Sequence, residues 1–193
     1  MEVRLQLDSL PHEGQDPVLT LHAHYFLAAE LMRSNYVRLR SKWEQRGRLS
    51  QNETVNQRIY FCTWLGFLGV TCEGFKKLNM RILLQSNRPQ DFLELIPQTD
   101  ALGRAIKQHS GPLREFRNNV FHLRDDIGAI ERFFARGAER LTWAEELQDA
   151  FDQFFFDYRI LCEVHYVIHG RKGEGEMGRS RRKAPARSRK SDA

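Results

Sequence analysis

Apolar side chains recur at steps of three and four residues along most of the chain, and this spacing predicts long amphipathic helices. Asp16-Pro17 has the form of a helix start, a capping residue followed by proline in the first turn, and Gly47 ends the helix. The apolar stripe of this first helix consists of Leu21, Tyr25, Ala28, Met32, Tyr36, Leu39 and Trp43.

A second helix is predicted from about Asn52 to Leu84. Its centre, IYFCTWLGFLGV, is apolar nearly all round, so it should be the most buried element. Pro89 breaks the chain after this helix. A shorter helix is expected from Phe92 to Gln108, with an interruption at Pro97.

The remaining pattern predicts two further helices. Ser110-Gly111-Pro112 starts the first of them, and Gly137 ends it. Thr142 and Glu145 have the spacing of a capping box, so the last helix should open there and run to about residue 169.

These elements predict an all-α fold, an up-and-down helical bundle of four to five helices over residues 16–169. The first segment, MEVRLQLDSL, alternates Val3, Leu5 and Leu7 with polar side chains, and residues 1–15 are expected to form an extended N-terminal arm. Residues 170–193 are rich in Gly, Ser, Arg and Lys and hold few large apolar side chains, so a disordered basic C-terminal tail is expected.

The net charge of +5 belongs to that tail. From Arg171 onward the chain holds 9 of its 30 Lys and Arg and 3 of its 25 Asp and Glu, which leaves 21 basic and 22 acidic residues before it. The count for the body gives no argument for nucleic acid. The tail is consistent either with a weak electrostatic arm for RNA, DNA or acidic proteins, or with a solubilising terminus.

Composition narrows the class of protein. An apolar fraction of 41% over 193 residues suits one globular domain with a real core. The three cysteines, Cys62, Cys72 and Cys162, are too few and scattered for a disulfide framework, and no signal peptide or membrane span is evident, so a cytoplasmic location is expected. No zinc motif or Gly-rich phosphate loop is present, so neither a metal nor a cofactor is expected.

The segment FRNNVFH, from Phe116 to His122, stands out from its helix. The core stripe of that helix consists of Leu113, Phe116, Val120, Leu123, Ile127, Ile130 and Phe134. Arg117 falls at the edge of this stripe, whereas Arg114, Asn118, Phe121 and His122 lie on the side away from the core. Phe121 is a large aromatic among charges. This predicts that the face is covered, either by another helix of the bundle or by a second copy of the chain.

Arg117-Asn118-x-x-x-His122 resembles the Arg-x4–6-His motif of the HEPN superfamily, in which a polar residue often follows the arginine. The resemblance implies a small helical bundle that pairs as a homodimer, with motif residues of both copies lining one cleft. Many members are metal-independent endoribonucleases of toxin–antitoxin and other defence systems. An antitoxin protein is therefore a candidate partner beside RNA. Arg124 stands where members silenced by a nucleotidyltransferase often carry Tyr, which argues against that pairing.

Metal-free RNA cleavage needs a base for the 2′-hydroxyl, a cation for the pentavalent phosphate and an acid for the leaving oxygen. The resemblance assigns proton transfer to His122 and charge stabilisation to Arg117, with Asn118 orienting the histidine or binding phosphate. Arg114 and Arg124 are candidates for flanking phosphates. The alternative function is a non-catalytic helical module that binds RNA or a protein partner. The segment is also consistent with a simply solvated face, on which His122 pairs with Asp125 or Asp126.

Two other groups have simpler interpretations. His165 falls on the apolar stripe of the last helix and is expected to be a core histidine. Glu145, Asp149 and Asp152 form an acidic row. We expect this row to be a solvated face, with a carboxylate metal site as the less favoured interpretation.

Overall fold

The computed structural model describes residues 10–121 and 139–171. Most of the predicted N-terminal arm, the predicted helix end at Gly137 and nearly all of the basic tail lie outside the described residues, as does the core stripe beyond Val120. Within the described ranges the fold is an all-α helical bundle without strands, as predicted. None of the described helices combines the length and apolar character that crossing a bilayer requires.

The helices follow one another with short connections. A 3₁₀ turn at Glu13–Gln15 precedes α1, and another at Gln90–Leu95 precedes α5. A π-helical turn at His22–Phe26 joins α1 to α2. The α-helices are α1 (Pro17–Leu21), α2 (Leu27–Arg46), α3 (Gln51–Lys77), α4 (Met80–Ser86), α5 (Ile96–Phe121) and α6 (Glu139–Ile168).

The helical segment from α1 to α2 begins and ends where the sequence predicts. Asp16 caps α1 by accepting the Val18 N–H at 2.7 Å, and Gly47 ends α2 in a left-handed conformation at φ 65°. The π turn between them adds a residue to the helical repeat, so the buried face moves along by one position. Phe26 is therefore fully buried, whereas Tyr25, on the predicted apolar stripe, is 39% exposed.

The central helix starts at a capping box in which Ser50 and Glu53 each bind the other's backbone N–H. Its continuation to Leu84 was expected, and this is wrong. α3 ends at Lys77, because Asn79 adopts a left-handed conformation (φ 47°) that an α-helix does not accommodate, and α4 begins at Met80. The apolar centre of α3 is buried as predicted, with Trp64, Leu65 and Leu68 fully enclosed.

The expected interruption at Pro97 is also wrong. Pro97 is the second residue of α5, a position where proline's missing N–H costs no helical hydrogen bond. The break lies at His109 (φ −133°, ψ 23°), between the predicted helix end at Gln108 and the predicted helix start at Ser110, so this boundary is confirmed. The ring of Pro112, three residues later, disfavours a regular turn before it. The Trp143 indole of α6 stabilises the kink by donating to the Ala105 carbonyl at 2.8 Å.

The last helix is already formed at Glu139, so Thr142 lies inside it and is not its cap, contrary to the prediction. Its buried face is aromatic, with Phe151, Phe154 and Phe155 packed against Phe26 and Phe75. His165 is buried on the same helix, as expected.

The acidic row on α6 is more than a solvated face. Glu145 binds Arg40 at 3.1 Å, and Asp149 binds Arg33 at 2.6 Å, so two of its three carboxylates join α6 to α2. Between these pairs the fully buried Gln148 accepts the Trp64 indole N–H at 3.1 Å. The polar contacts thus fix the register of α2, α3 and α6.

A buried polar cluster joins the start of α1, the segment between α4 and α5, and α6. Asp16 and Arg88, 0% and 3% exposed, form an ion pair at 3.0 Å. The Tyr158 hydroxyl donates to Asp16 at 2.7 Å and accepts from Arg88 Nε at 2.6 Å. Burial, reinforced by the Asp16 charge, raises the pKa of Tyr158, so its hydroxyl stays protonated and able to donate.

We expect Tyr158→Phe to lower the free energy of unfolding by about 1–3 kcal/mol, because it leaves both members of a buried ion pair short of one partner. Urea unfolding measures this as a lower midpoint with an unchanged slope. The matched control is Tyr25→Phe at an exposed tyrosine, which should change the midpoint little. Equal midpoints for the two variants would contradict the role given to this cluster.

Candidate functional site

The helix that carries Arg117 lies unusually close to α3. A methyl group built on Gly69 would lie 3.2 Å from Arg117 Cβ, and one built on Gly66 would lie 2.9 Å from the Phe121 ring. These two glycines, one turn apart, present bare backbone to α5. The two helices run in opposite directions, since Gly69 contacts Arg117 and Gly66 contacts Phe121.

Arg117 lies at the edge of the core stripe, as predicted, and its side chain is only 20% exposed. Its aliphatic part packs on Gly69, and its Nη2 donates to Glu73 Oε1 at 2.6 Å. The Nε is buried and has no partner among the described residues. The guanidinium is therefore held toward α3, and its ion pair uses only part of its donor set.

The other predicted site residues divide into two groups. Arg114 is exposed and Asn118 is half-buried, both on α5. His122 and Arg124 lie outside the described residues. The described geometry of the site therefore includes Arg117 but no distance from Arg117 to His122. Phe121 is 41% exposed, and its ring meets Phe67 of α3 at 5.4 Å. The expected cover of this aromatic is supplied in part by α3 of the same chain.

Two adjoining clefts run between α5 and the end of α3. The first, of about 520 Å³, opens beside the Arg117–Glu73 pair. The second, of about 850 Å³, reaches α4, and the two share Lys76. The first cleft is lined by Gly69, Cys72, Glu73, Lys76, Ser110, Gly111, Leu113 and Arg114. The second is lined by Phe75, Lys76, Asn79, Met80, Arg81, Ile82, Thr99, Asp100, Gly103, Arg104 and Lys107.

The clefts are cationic although the body of the chain is nearly neutral. Both lining carboxylates are paired, Glu73 with Arg117 and Asp100 with Arg81 at 2.6 Å. The other lining cations pair with no carboxylate of the described residues, and we call them the cation track: Lys76, Arg104, Lys107 and Arg114.

The described residues favour neither a metal site nor a reactive thiol. No group of three or more His, Cys, Asp and Glu side chains is arranged to hold a metal ion there. Cys72 lines the first cleft, but burial raises the pKa of its thiol to about 12, so it is protonated at neutral pH and a poor nucleophile. The charged side chains, rather than a metal or thiol, define this site.

The α3 half of this site was not predicted from the sequence. Gly66, Gly69 and Glu73 are spaced by three and four residues and so share one face of α3. The rest of this segment is apolar nearly all round. A face of small and charged residues within it was therefore the feature that could have indicated a close contact with another helix. The near-neutral body likewise concealed the cation track, because a count of charges carries no positions.

Comparison with known proteins adds no assignment: no protein-family model, no curated protein and no solved structure matches this chain. The residues of the site are therefore the features that indicate a function.

Proposed function

We propose that this chain is a metal-independent endoribonuclease that holds single-stranded RNA along the cation track and cleaves it with Arg117 and His122. The observation that carries the proposal is the position of Lys76, Arg104, Lys107 and Arg114 around two clefts that share Lys76, the first of which is lined by Glu73, the partner of Arg117. A row of cations without carboxylate partners suits the phosphates of a nucleic-acid strand.

The proposed reaction is an internal transesterification. His122 takes the proton of a 2′-hydroxyl, whose oxygen attacks the neighbouring phosphorus while the bond to the 5′-oxygen breaks. The leaving oxygen takes up a proton from solvent, and His122 returns its proton to solvent. The products carry a 2′,3′-cyclic phosphate and a 5′-hydroxyl. Arg117 supplies N–H donors to the phosphate oxygens as negative charge builds on them, and Asn118 orients the imidazole or binds the same phosphate.

The resemblance to the HEPN superfamily extends this proposal to assembly. Two copies of the chain pair, each contributing Arg117 and His122 to one cleft, with Arg124 on a flanking phosphate. An antitoxin protein would then act by covering that cleft.

A second candidate is a non-catalytic helical module that binds RNA or a protein partner. It is favoured by the Arg117–Glu73 ion pair, since a carboxylate 2.6 Å from the guanidinium offsets the charge on which phosphate stabilisation depends. In this alternative Arg117 joins α5 to α3, and the cation track binds without cleaving.

Cleavage in the presence of a chelator separates the two candidates. We expect wild-type protein to cut a set of labelled single-stranded RNAs in EDTA, leaving 2′,3′-cyclic phosphate ends. His122→Ala should slow this by about 10²–10⁴-fold, the usual contribution of a positioned proton-transfer group. His24→Ala is the matched control, because His24 is an exposed histidine on the π turn.

Equal rates for wild type and His122→Ala would remove this histidine from the chemistry. Absence of cleavage by folded wild type that still binds the RNAs would favour the binding module.

The cation track is tested by charge reversal at one of two adjacent lysines. Lys76 lines both clefts, whereas its exposed neighbour Lys77 lines neither. Lys76→Glu should weaken RNA binding and reduce the slope of log K against log salt by about 0.7 for each phosphate that the protein ceases to neutralise. Lys77→Glu makes the same change in net charge, so equal effects of the two variants would contradict a located site.

A further inference from the structure

Trp43 departs from the predicted pattern. It ends the apolar stripe of α2, yet 54% of its surface is exposed. The other tryptophans, Trp64 and Trp143, are 0% and 5% exposed, so burial is the rule for this side chain here. An exposed indole at core spacing suggests a surface that meets a ligand.

Trp43 lines a groove of about 610 Å³ between the end of α2, the start of α3 and the start of α6. Tyr36 and Phe61 form its aromatic floor, with ring centroids 5.0 Å apart. Thr54 and Gln57 add hydrogen-bonding groups beside them. We call this the aromatic groove, and its full lining is Tyr36, Arg40, Trp43, Leu49, Thr54, Gln57, Arg58, Phe61 and Leu141.

The chain around the aromatic groove is strongly basic. Residues 38–58 hold six Lys and Arg and two Glu. Both glutamates are paired, Glu44 with Arg40 at 2.9 Å and Glu53 with Lys42. The arginines of this segment that pair with no carboxylate of the described ranges are Arg38, Arg46, Arg48 and Arg58.

We infer that the aromatic groove binds an unpaired stretch of single-stranded RNA, with a base stacked on Trp43 and a backbone phosphate on Arg58, which lines the groove. An open aromatic face beside Arg58, in a segment with three further arginines that pair with no carboxylate of the described ranges, fits a ligand that alternates planar rings with anions. An acidic peptide would satisfy the arginines but gives no reason for the exposed indole.

The aromatic groove packs against the core side of α5. Phe61 lies in the groove floor, and its ring centroid is 6.4 Å from that of Phe116, the residue before Arg117. The groove thus adjoins the helix that carries the proposed cleavage residues. The identification of the ligand as RNA rests on the proposed function, whereas the preference for unpaired bases rests on the groove itself.

The inference is tested by binding without cleavage. A labelled 12-nucleotide RNA with 2′-O-methyl groups cannot supply the attacking hydroxyl, so its affinity for the wild-type chain is independent of catalysis. We expect this strand to quench the emission of exposed Trp43. A strand of the same length with abasic sugars should bind more weakly and quench less, because only its phosphates remain.

Trp43→Ala should weaken binding of the base-bearing strand by about tenfold, within the range for removal of one stacked base, and leave the abasic strand unchanged. The matched control is Phe156→Ala, which removes an aromatic side chain of similar exposure (56%) on α6 outside the groove. It should leave both affinities unchanged. Arg58→Ala should weaken both strands alike, since it removes a cation that binds phosphate.

Unchanged affinity of Trp43→Ala for the base-bearing strand, with the fold intact by circular dichroism, would overturn the inference. So would tighter binding to a fully paired duplex than to the single strand, or an equal weakening of the abasic strand by Trp43→Ala. Cleavage assays do not enter these outcomes, so a chain that binds here but cuts nothing would contradict the proposed function alone.

Discussion

The close approach of α5 to α3 is the constraint on which the candidate site depends. Gly69 has no side chain, so the stem of Arg117 lies directly on the α3 backbone and its guanidinium reaches Glu73. A larger residue at Gly69 would push α5 outward and carry Arg117 and Arg114 with it. The kink at His109 adds to this geometry, because it separates the part of α5 beside α4 from the part beside Gly69.

The rest of the bundle holds these helices at fixed positions through buried polar contacts as well as apolar packing. Gln148 binds both Trp64 of α3 and Glu30 of α2, and the Asp16–Arg88–Tyr158 cluster joins the start of α1 to the chain before α5 and to α6. Each buried polar atom in these contacts needs its partner, so they favour one register of the helices over its neighbours.

Sequence patterns predicted the helical class, the cap at Asp16, the end at Gly47 and the buried centre of α3, because each follows from local spacing and backbone preference. They failed where distant residues decide the conformation. The break in α5 lies where Ser110-Gly111-Pro112 predicts a new helix, but nothing near it in sequence indicates that Trp143, far along the chain, supports it. Likewise, nothing near Arg117 in sequence indicates Glu73, and Trp43 has core spacing but is half exposed.

The most direct test of the role given to Arg117 is a charge swap with its partner. Arg117→Glu alone places two carboxylates together, and adding Glu73→Arg restores an ion pair between α3 and α5 with its charges exchanged. RNA cleavage in chelator and thermal unfolding are measured for both variants. If the guanidinium at position 117 stabilises the reacting phosphate, the double variant regains stability and not cleavage. Recovery of cleavage together with stability would show that the arginine serves only to join the two helices.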